Sequence, residues 1–214
     1  AVESVLRQTY PCYEIIVVDR ASTDGTDFTL RPYAEKISYI VEPRPGVALA
    51  RNIGLAKATG EFVAFLDSDD QWLPHKLERV AQAIINHPEA AFFFSDYEVV
   101  DTSGQVLWVE RPPRIIGNAY FLMLASDIAG TSTVVVRRIS LEEVGLFDET
   151  LRGCEDWDLW LRIVRVHQAV QIPEVLSRIS FQTGGGLMNL KDDNWFAGMD
   201  AVVAKAFQAD PALD

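Results

Sequence analysis

The run Glu61-Phe62-Val63-Ala64-Phe65-Leu66-Asp67-Ser68-Asp69-Asp70 holds the residues whose types and spacing best fit chemistry. Its apolar half reads as a buried strand that stops on three carboxylates, Asp67, Asp69 and Asp70. Strands of open α/β sheets deliver ligand groups at their carboxyl ends. Acids crowded there repel one another and are costly to desolvate, so a positive group is expected among them. A divalent cation carrying a diphosphate is the simplest such group. Hard cations take oxygen ligands from one or two carboxylates plus substrate phosphates. The competing reading is an Asp-rich turn in which Asp70 caps the helix that follows Pro74. Capping accounts for one acid and not three.

A second acidic group, Glu155-Asp156-Trp157-Asp158, opens a helical stretch. Carboxylates interact well with a helix dipole and its free N–H groups, which is the structural reading. Trp157 and Trp160 flank these acids. Aromatic surface beside a carboxylate holds a sugar ring or perturbs a catalytic acid or base, which makes Glu155 and Trp157 candidate acceptor contacts. On the first side of the chain, another strand ends on Asp19. In a parallel sheet Asp19, Asp67 and Asp69 share one edge and can face one ligand. Gly46 and the helix starting near Val47 offer backbone N–H groups to a phosphate. Arg51 and Arg44 offer charge; a solvated face or an internal salt bridge is the alternative for both.

The elements that must position these groups alternate. Tyr13 to Asp19 reads as a strand, and Ser22 to Thr26 as a turn capping a helix to about Lys36 that Pro32 divides. Ile37 to Val41 is a strand, Val47 to Ala58 a helix, and the Asp-tipped strand follows. Such alternation with apolar strands predicts a parallel sheet covered by helices on both faces. A helix from Pro74 to Asn86 and a strand from Ala91 to Tyr97 come next. Beyond them the pattern is less regular: a hairpin turn at Asp101 to Gly104, a strand at Ser132 to Val136, and a short helix from Leu141 that Gly145 stops. Glu155 to Val166 is helical, Val170 to Ile172 and Val175 to Phe181 are strands, Gly184 to Gly186 is a flexible loop, and Met188 to Phe207 is a terminal helix.

The chain of 214 residues is 49% hydrophobic, which fits one large domain with a sizeable core. The net charge of −12 argues against nucleic acid, which needs a basic face. No apolar run approaches a membrane span, and no basic cluster suggests an anionic-lipid patch. Cys12 and Cys154 lack metal spacing and read as reduced thiols of a cytosolic protein. His75, His87 and His167 are not spaced for a metal either. There is no phosphate-binding Gly-x-x-x-x-Gly-Lys-Ser/Thr, no Gly-x-Gly-x-x-Gly after a strand and no Gly-x-Ser-x-Gly elbow. Ala1 to Arg7 looks like the middle of an amphipathic helix without initiator Met or targeting character, so the natural protein is expected to continue upstream.

Taken in order, several segments resemble glycosyltransferase family 2. They are Ser4-Val5-Leu6-x-Gln8-Thr9-Tyr10-Pro11, Glu14 to Asp19 with Ser22-Thr23-Asp24-Gly25-Thr26, and Ala50-Arg51-Asn52-x-Gly54-Leu55. Gly60 to Asp70, Gly145-x-Phe147-Asp148-Glu149 and Glu155-Asp156-x-Asp158-Leu159-Trp160-Leu161-Arg162 complete the set. The resemblance implies the GT-A fold, a three-layer α/β/α domain with a mainly parallel sheet whose first strand is expected to be missing upstream of Ala1. It implies a single domain, with residues 1–100 as the nucleotide-sugar half and 101–214 as the acceptor half.

It also implies roles. Asp67 and Asp69 match the family's Asp-x-Asp motif, whose acids bind Mn²⁺ or Mg²⁺ and the donor diphosphate, with Ser68 between them. Asp19 matches the acid on the nucleoside side, and Gly46 and Arg51 join the donor site. Asp156 matches the acid proposed as base in inverting members. Arg20 stands where the family usually has a second Asp that contacts uracil. A guanidinium cannot accept the uracil N3–H bond, so base choice stays open, while the resemblance makes a UDP-sugar the leading donor. The implied partners are that donor and a saccharide or lipid-linked acceptor, with no nucleic acid, and the implied place is the cytoplasm or the inner membrane face. The Gly184–Gly186 loop is a candidate lid. A non-catalytic sugar-nucleotide or glycan-binding domain and a nucleotidyltransferase are the alternatives.

Overall fold

A computed structural model describes residues 1–11, 14–181 and 193–210, with residues 193–195 described by backbone alone. Cys12, the Gly184–Gly186 loop and the expected helix start at Met188 lie outside these residues.

The first half alternates as its sequence predicts. After α1 (Val2–Leu6) come β1 (Ile16–Asp19), α2 (Thr26–Leu30), β2 (Ser38–Val41), α3 (Val47–Lys57) and β3 (Phe62–Ala64). Helix α2 gives way to a 3₁₀ turn at Arg31–Tyr33, the division that Pro32 imposes. Then follow β4 (Gln71–Trp72), α4 (Lys76–Asn86) and β5 (Ala90–Val100). The second half holds β6 (Val106–Glu110), β7 (Ile116–Gly117), α5 (Tyr120–Ala125), a 3₁₀ turn at Thr131–Thr133, β8 (Val135–Arg137), α6 (Arg138–Val144), α7 (Glu155–Val166), β9 (Gln168–Ser180) and α8 (Asp193–Ala209).

Strands β1 and β2 pair in parallel, and so do β5 and β9 along almost their whole length. Strand β8 runs antiparallel between β3 and β5, which sets β3 and β5 in one direction. The short strands β4, β6 and β7 add antiparallel edges that strand–helix alternation does not announce. The sheet is two-faced. Phe92 and Phe94 of β5, with Val134 and Val136, pack toward α3, α5, α6, α7 and α8. Phe93, Val135 and Val170 point the other way onto Val80 and its neighbours on α4. Side chains alternate across a strand, so a sheet buried on both faces needs apolar residues in unbroken runs. Phe92-Phe93-Phe94 supplies one. The result is the three-layer α/β/α arrangement expected from the sequence.

Two expected elements differ in detail. Ser132 to Val136 does not form one strand; its first residues complete the 3₁₀ turn before β8. The two strands expected between Val170 and Phe181 are one, β9. Its register against β5 slips where Ile172 pairs Ser95 and Val175 pairs Asp96. Pro173 lies in that slip, where the absence of an N–H costs no ladder bond.

Among the described residues β1 pairs only with β2, and β3 only with β8. A cleft of about 1520 Å³ lies beside these strands, lined by Val17 and Val18, by Phe62 to Asp69, and by Val80 and Ile84 of α4. Helix α3 also lines it, with Gly54 beside Val18 and Arg51, one turn earlier, on Asp67.

Candidate active site

The two acidic runs, far apart in sequence, meet through one arginine. Arg51 sits on α3, whose N-cap Gly46 has φ 124°, a left-handed conformation that suits glycine. The Arg51 guanidinium donates to Asp67 Oδ1 at 2.9 Å and to Glu155 Oε1 at 2.8 Å, and stacks 5.4 Å from the Phe147 ring centroid. Its side chain is only 10% exposed. Arg51 is therefore a bridge between carboxylates, the internal salt bridge that the sequence left open, and its charge is not free for a phosphate. Arg44 is likewise paired, by a two-point contact with Glu42 that holds the Glu42 carboxyl down at about 2.

At the tip of β3 the acids divide. Ser68 and Asp69 are exposed and Asp67 is half-buried, all three on the cleft. Asp70 is buried instead. It accepts the Ser132 hydroxyl at 2.5 Å and the Ser180 N–H at 2.8 Å. Burial pushes its carboxyl up to about 6, against the pull of those hydrogen bonds. Asp70 does not cap α4, which starts at Lys76 with His75 as its N-cap residue. It ties the strand tip to β9.

The second run divides the same way. Glu155 is 5% exposed and Asp158 2%. Burial, then the neighbouring Asp156, push Glu155 up, and Arg51 opposes them. Asp158 is held by Arg162 at 2.7 Å and Lys205 at 2.6 Å. Asp156 alone is half-buried, its Oδ2 accepting the Thr131 hydroxyl at 2.5 Å. Trp157 and Trp160 are core residues, 4% and 0% exposed. Trp157 donates its indole N–H to the Met123 carbonyl at 2.7 Å, and Trp160 stacks against Phe65, Phe92 and Phe147. Glu155 and Trp157, expected as acceptor contacts, are both buried here, Glu155 on Arg51 and Trp157 in the core. Helical spacing put the tryptophans beside the acids in sequence and turned them into the sheet in space.

Asp19 is also more structural than its position at a strand end suggests. It is 7% exposed and accepts the Ser22 N–H at 3.0 Å, the Ser22 hydroxyl at 2.5 Å and the Tyr39 hydroxyl. Burial raises its carboxyl, but those hydrogen bonds outweigh it and hold the group below the usual range. The same bond pushes the Tyr39 phenol up to about 12. Arg20, next in sequence, is exposed on the cleft.

Residues that no chemical pattern singled out hold the frame. Asn52, one turn face from Arg51 on α3, donates to the Phe147 carbonyl at 3.0 Å and to Glu149 at 2.8 Å, and accepts the Phe147 N–H at 3.0 Å. Arg162 donates to the carbonyls of Val144, Gly145 and Leu146. The Asn52 and Arg162 side chains therefore clamp the 145–149 loop from opposite helices. Burial and nearby acids push the Cys154 thiol up to about 12, which removes it as a nucleophile near neutral pH.

The residues fit a divalent ion in part. Asp67 and Asp69 offer hard oxygen donors open to the cleft. Among the described residues no three acidic, cysteine or histidine groups enclose an ion by themselves, so an ion at this tip would draw its other ligands from a diphosphate and water.

Comparisons with known proteins bear on the family and the fold. Residues 1–145 match the family described as "Glycosyl transferase family 2". The chain is 34% identical over 170 residues to the "Putative teichuronic acid biosynthesis glycosyltransferase TuaG" of Bacillus subtilis, covering 77% of this chain and 65% of that protein. It is 34% identical over 167 residues to the "UDP-Glc:alpha-D-GlcNAc-diphosphoundecaprenol beta-1,3-glucosyltransferase WfgD" of Escherichia coli, covering 77% and 63%. An uncharacterized glycosyltransferase of Rickettsia typhi is 32% identical, and the chain spans 57% of its length. Among solved structures, S. aureus TarS superimposes with a TM-score of 0.70 at 22% identity over 96% of this chain and 39% of TarS. TarS 1–349 with UDP-GlcNAc gives 0.69 at 21% identity, over 96% and 66%. The fold is the GT-A fold, and the chain belongs to glycosyltransferase family 2.

Proposed function

We propose that the protein is a metal-dependent inverting glycosyltransferase. It moves a sugar from a nucleotide-diphosphate donor, foremost a UDP-sugar, to a saccharide or lipid-linked acceptor in cell-envelope polysaccharide synthesis. The observation that carries this reading is the convergence at Arg51. It sets the open Asp67–Asp69 tip beside the helix start that presents Asp156, with the other acids locked into the frame.

In this reading Asp67 and Asp69 hold Mn²⁺ or Mg²⁺, which when bound offsets the charge of the leaving nucleoside diphosphate. Gly46 and the first N–H groups of α3 face the diphosphate. Ser68 and Arg20 line the donor side, and Asp19 shapes the loop that carries Arg20 rather than touching the base. Asp156 accepts the proton of the acceptor hydroxyl. That oxygen then bonds to the anomeric carbon as the carbon–phosphate oxygen bond breaks on the opposite face, so one displacement inverts the centre. Residues 1–100 serve the donor and 101–214 the acceptor. The names of TuaG and WfgD support an envelope-glycan acceptor, and the bound nucleotides of TarS support a uridine donor. No described helix is long and apolar enough to cross a membrane. The reading places the enzyme in the cytoplasm, at the inner membrane face.

The test is transfer by Asp156→Asn. A fall in kcat of about 10²- to 10⁴-fold with unchanged donor affinity is expected, as for loss of a general base. Turnover near the wild-type rate would remove Asp156 from that role.

A further inference from the structure

The 3₁₀ turn Thr131–Thr133 touches both acidic runs with successive side chains. Thr131 Oγ1 donates to Asp156 Oδ2 at 2.5 Å. Ser132 Oγ accepts the Asp67 N–H at 3.0 Å and donates to Asp70 Oδ2 at 2.5 Å. The turn itself is pinned from behind. The Ser132 carbonyl accepts the Trp72 indole N–H at 2.9 Å and the Ser177 hydroxyl at 3.0 Å. The Thr133 carbonyl accepts Lys76 Nζ at 2.8 Å, and Thr133 Oγ1 donates to the Gly130 carbonyl at 2.7 Å. All three residues are buried, at 5%, 1% and 1% exposure.

We propose that Thr131 and Ser132 are positioning residues, Thr131 for Asp156 and Ser132 for the Asp67–Asp70 turn. Through them one rigid turn fixes the acceptor-side acid relative to the donor-side acids. This rests on the functional reading above. The Trp157 N–H holds Asp156 Oδ1 at 2.9 Å, and the Thr131 hydroxyl on Oδ2, the one contact from outside its own helix, completes the fixing of its rotamer. A hydroxyl that only fills core space would point at a backbone carbonyl of its own segment, as Thr133 does. Thr131 and Ser132 instead spend their hydroxyls on acids 25 and 62 residues away. The turn has no partner choice of its own, since its carbonyls are taken by Trp72, Ser177 and Lys76. It therefore transmits position rather than absorbing it.

The two side chains act on different steps, which gives a signature that a general packing defect lacks. In the intact protein, Thr131→Val lowers kcat by about 10- to 100-fold with little change in donor KM, the scale of a small misplacement of a catalytic group. Thr131→Ser, which keeps the hydroxyl, restores most of the rate. Ser132→Ala instead weakens donor binding, read as UDP affinity in the presence of Mn²⁺ by calorimetry, and changes kcat less. Thr131→Val added to Asp156→Asn costs nothing further, because Thr131 acts through Asp156. An additive loss in that double variant, or equal impairment by Val and Ser at position 131, would overturn the positioning role. Wild-type turnover by Asp156→Asn alone would instead sink the functional reading.

Discussion

The runs Asp67–Asp70 and Glu155–Asp158 look alike in sequence, each a cluster of three acids at the end or start of an element. In space they divide labour in the same way from opposite directions. At the β3 tip Asp69 is exposed, Asp67 is half-buried with one oxygen on Arg51, and Asp70 is buried and hydrogen-bonded to the frame. At the α7 start one acid, Asp156, is half-open, and two are buried in ion pairs. Spacing does not separate a working carboxylate from a structural one. Burial together with the partner set does. An acid buried against donors or a cation, as Asp70, Glu155 and Asp158 are, is part of the scaffold. A half-buried or exposed acid, as Asp67, Asp69 and Asp156 are, is the candidate for chemistry.

If this division holds, substitutions within one run should have opposite consequences. The largest effect on folding is expected at Asp158. Asp158→Ala removes a buried carboxylate from Arg162 and Lys205, which keep the 144–146 carbonyls and Asp148, and should cost about 1.5–3 kcal/mol, as for charged hydrogen bonds lost. Chemical denaturation would measure it, and a loss under about 1 kcal/mol would break the comparison.

Lys76, fully buried behind the turn that joins the runs, comes next. Burial pushes its ammonium down to about 7. The unfolded chain then binds more protons than the folded one above that pH, so Lys76 costs stability most fully below about pH 7 and less as the pH rises toward 10. Lys76→Met, which also leaves the Thr133 carbonyl unpaired, should therefore compare most favourably with wild type at pH 6 and progressively less so by pH 9. Parallel melting curves would check it, and a gap independent of pH would contradict it.

Asp70→Ala should cost about 1–3 kcal/mol by leaving the Ser132 hydroxyl and the Ser180 N–H without their partner. Trp157→Phe should cost about 1–3 kcal/mol, for the lost hydrogen bond and the space left in the core, with KM for the acceptor unchanged. A raised acceptor KM would return Trp157 to the sugar-contact role that its sequence position suggested. Asp69→Ala should stay within about 0.5 kcal/mol of wild type, as at other exposed sites.

Much of the frame was legible because it rests on local rules. The Asp-tipped apolar strand, the Pro32 break, the Gly145 stop and the α7 boundaries follow from periodicity, capping and proline geometry. The antiparallel insertion of β8 and the edge strands were not legible, since strand direction depends on partners distant in the chain. The same limit governed the site. The α7 tryptophans, Arg51 and Asp19 carried chemical promise by type and spacing, and the fold buries each of them against partners that spacing does not reveal. Conversely Thr131 and Ser132 belong to no quoted motif and Asn52 carried no role within its segment, and only their contacts across the fold give them weight.

The most direct measurement is calorimetry of UDP with the intact protein, with and without Mn²⁺, for wild type and Asp69→Ala. Metal-dependent binding that is lost in the variant, while its melting curve is unchanged, is expected if the open acids at the β3 tip form the donor site. Equal binding by wild type and variant, or binding indifferent to the metal, would contradict that assignment.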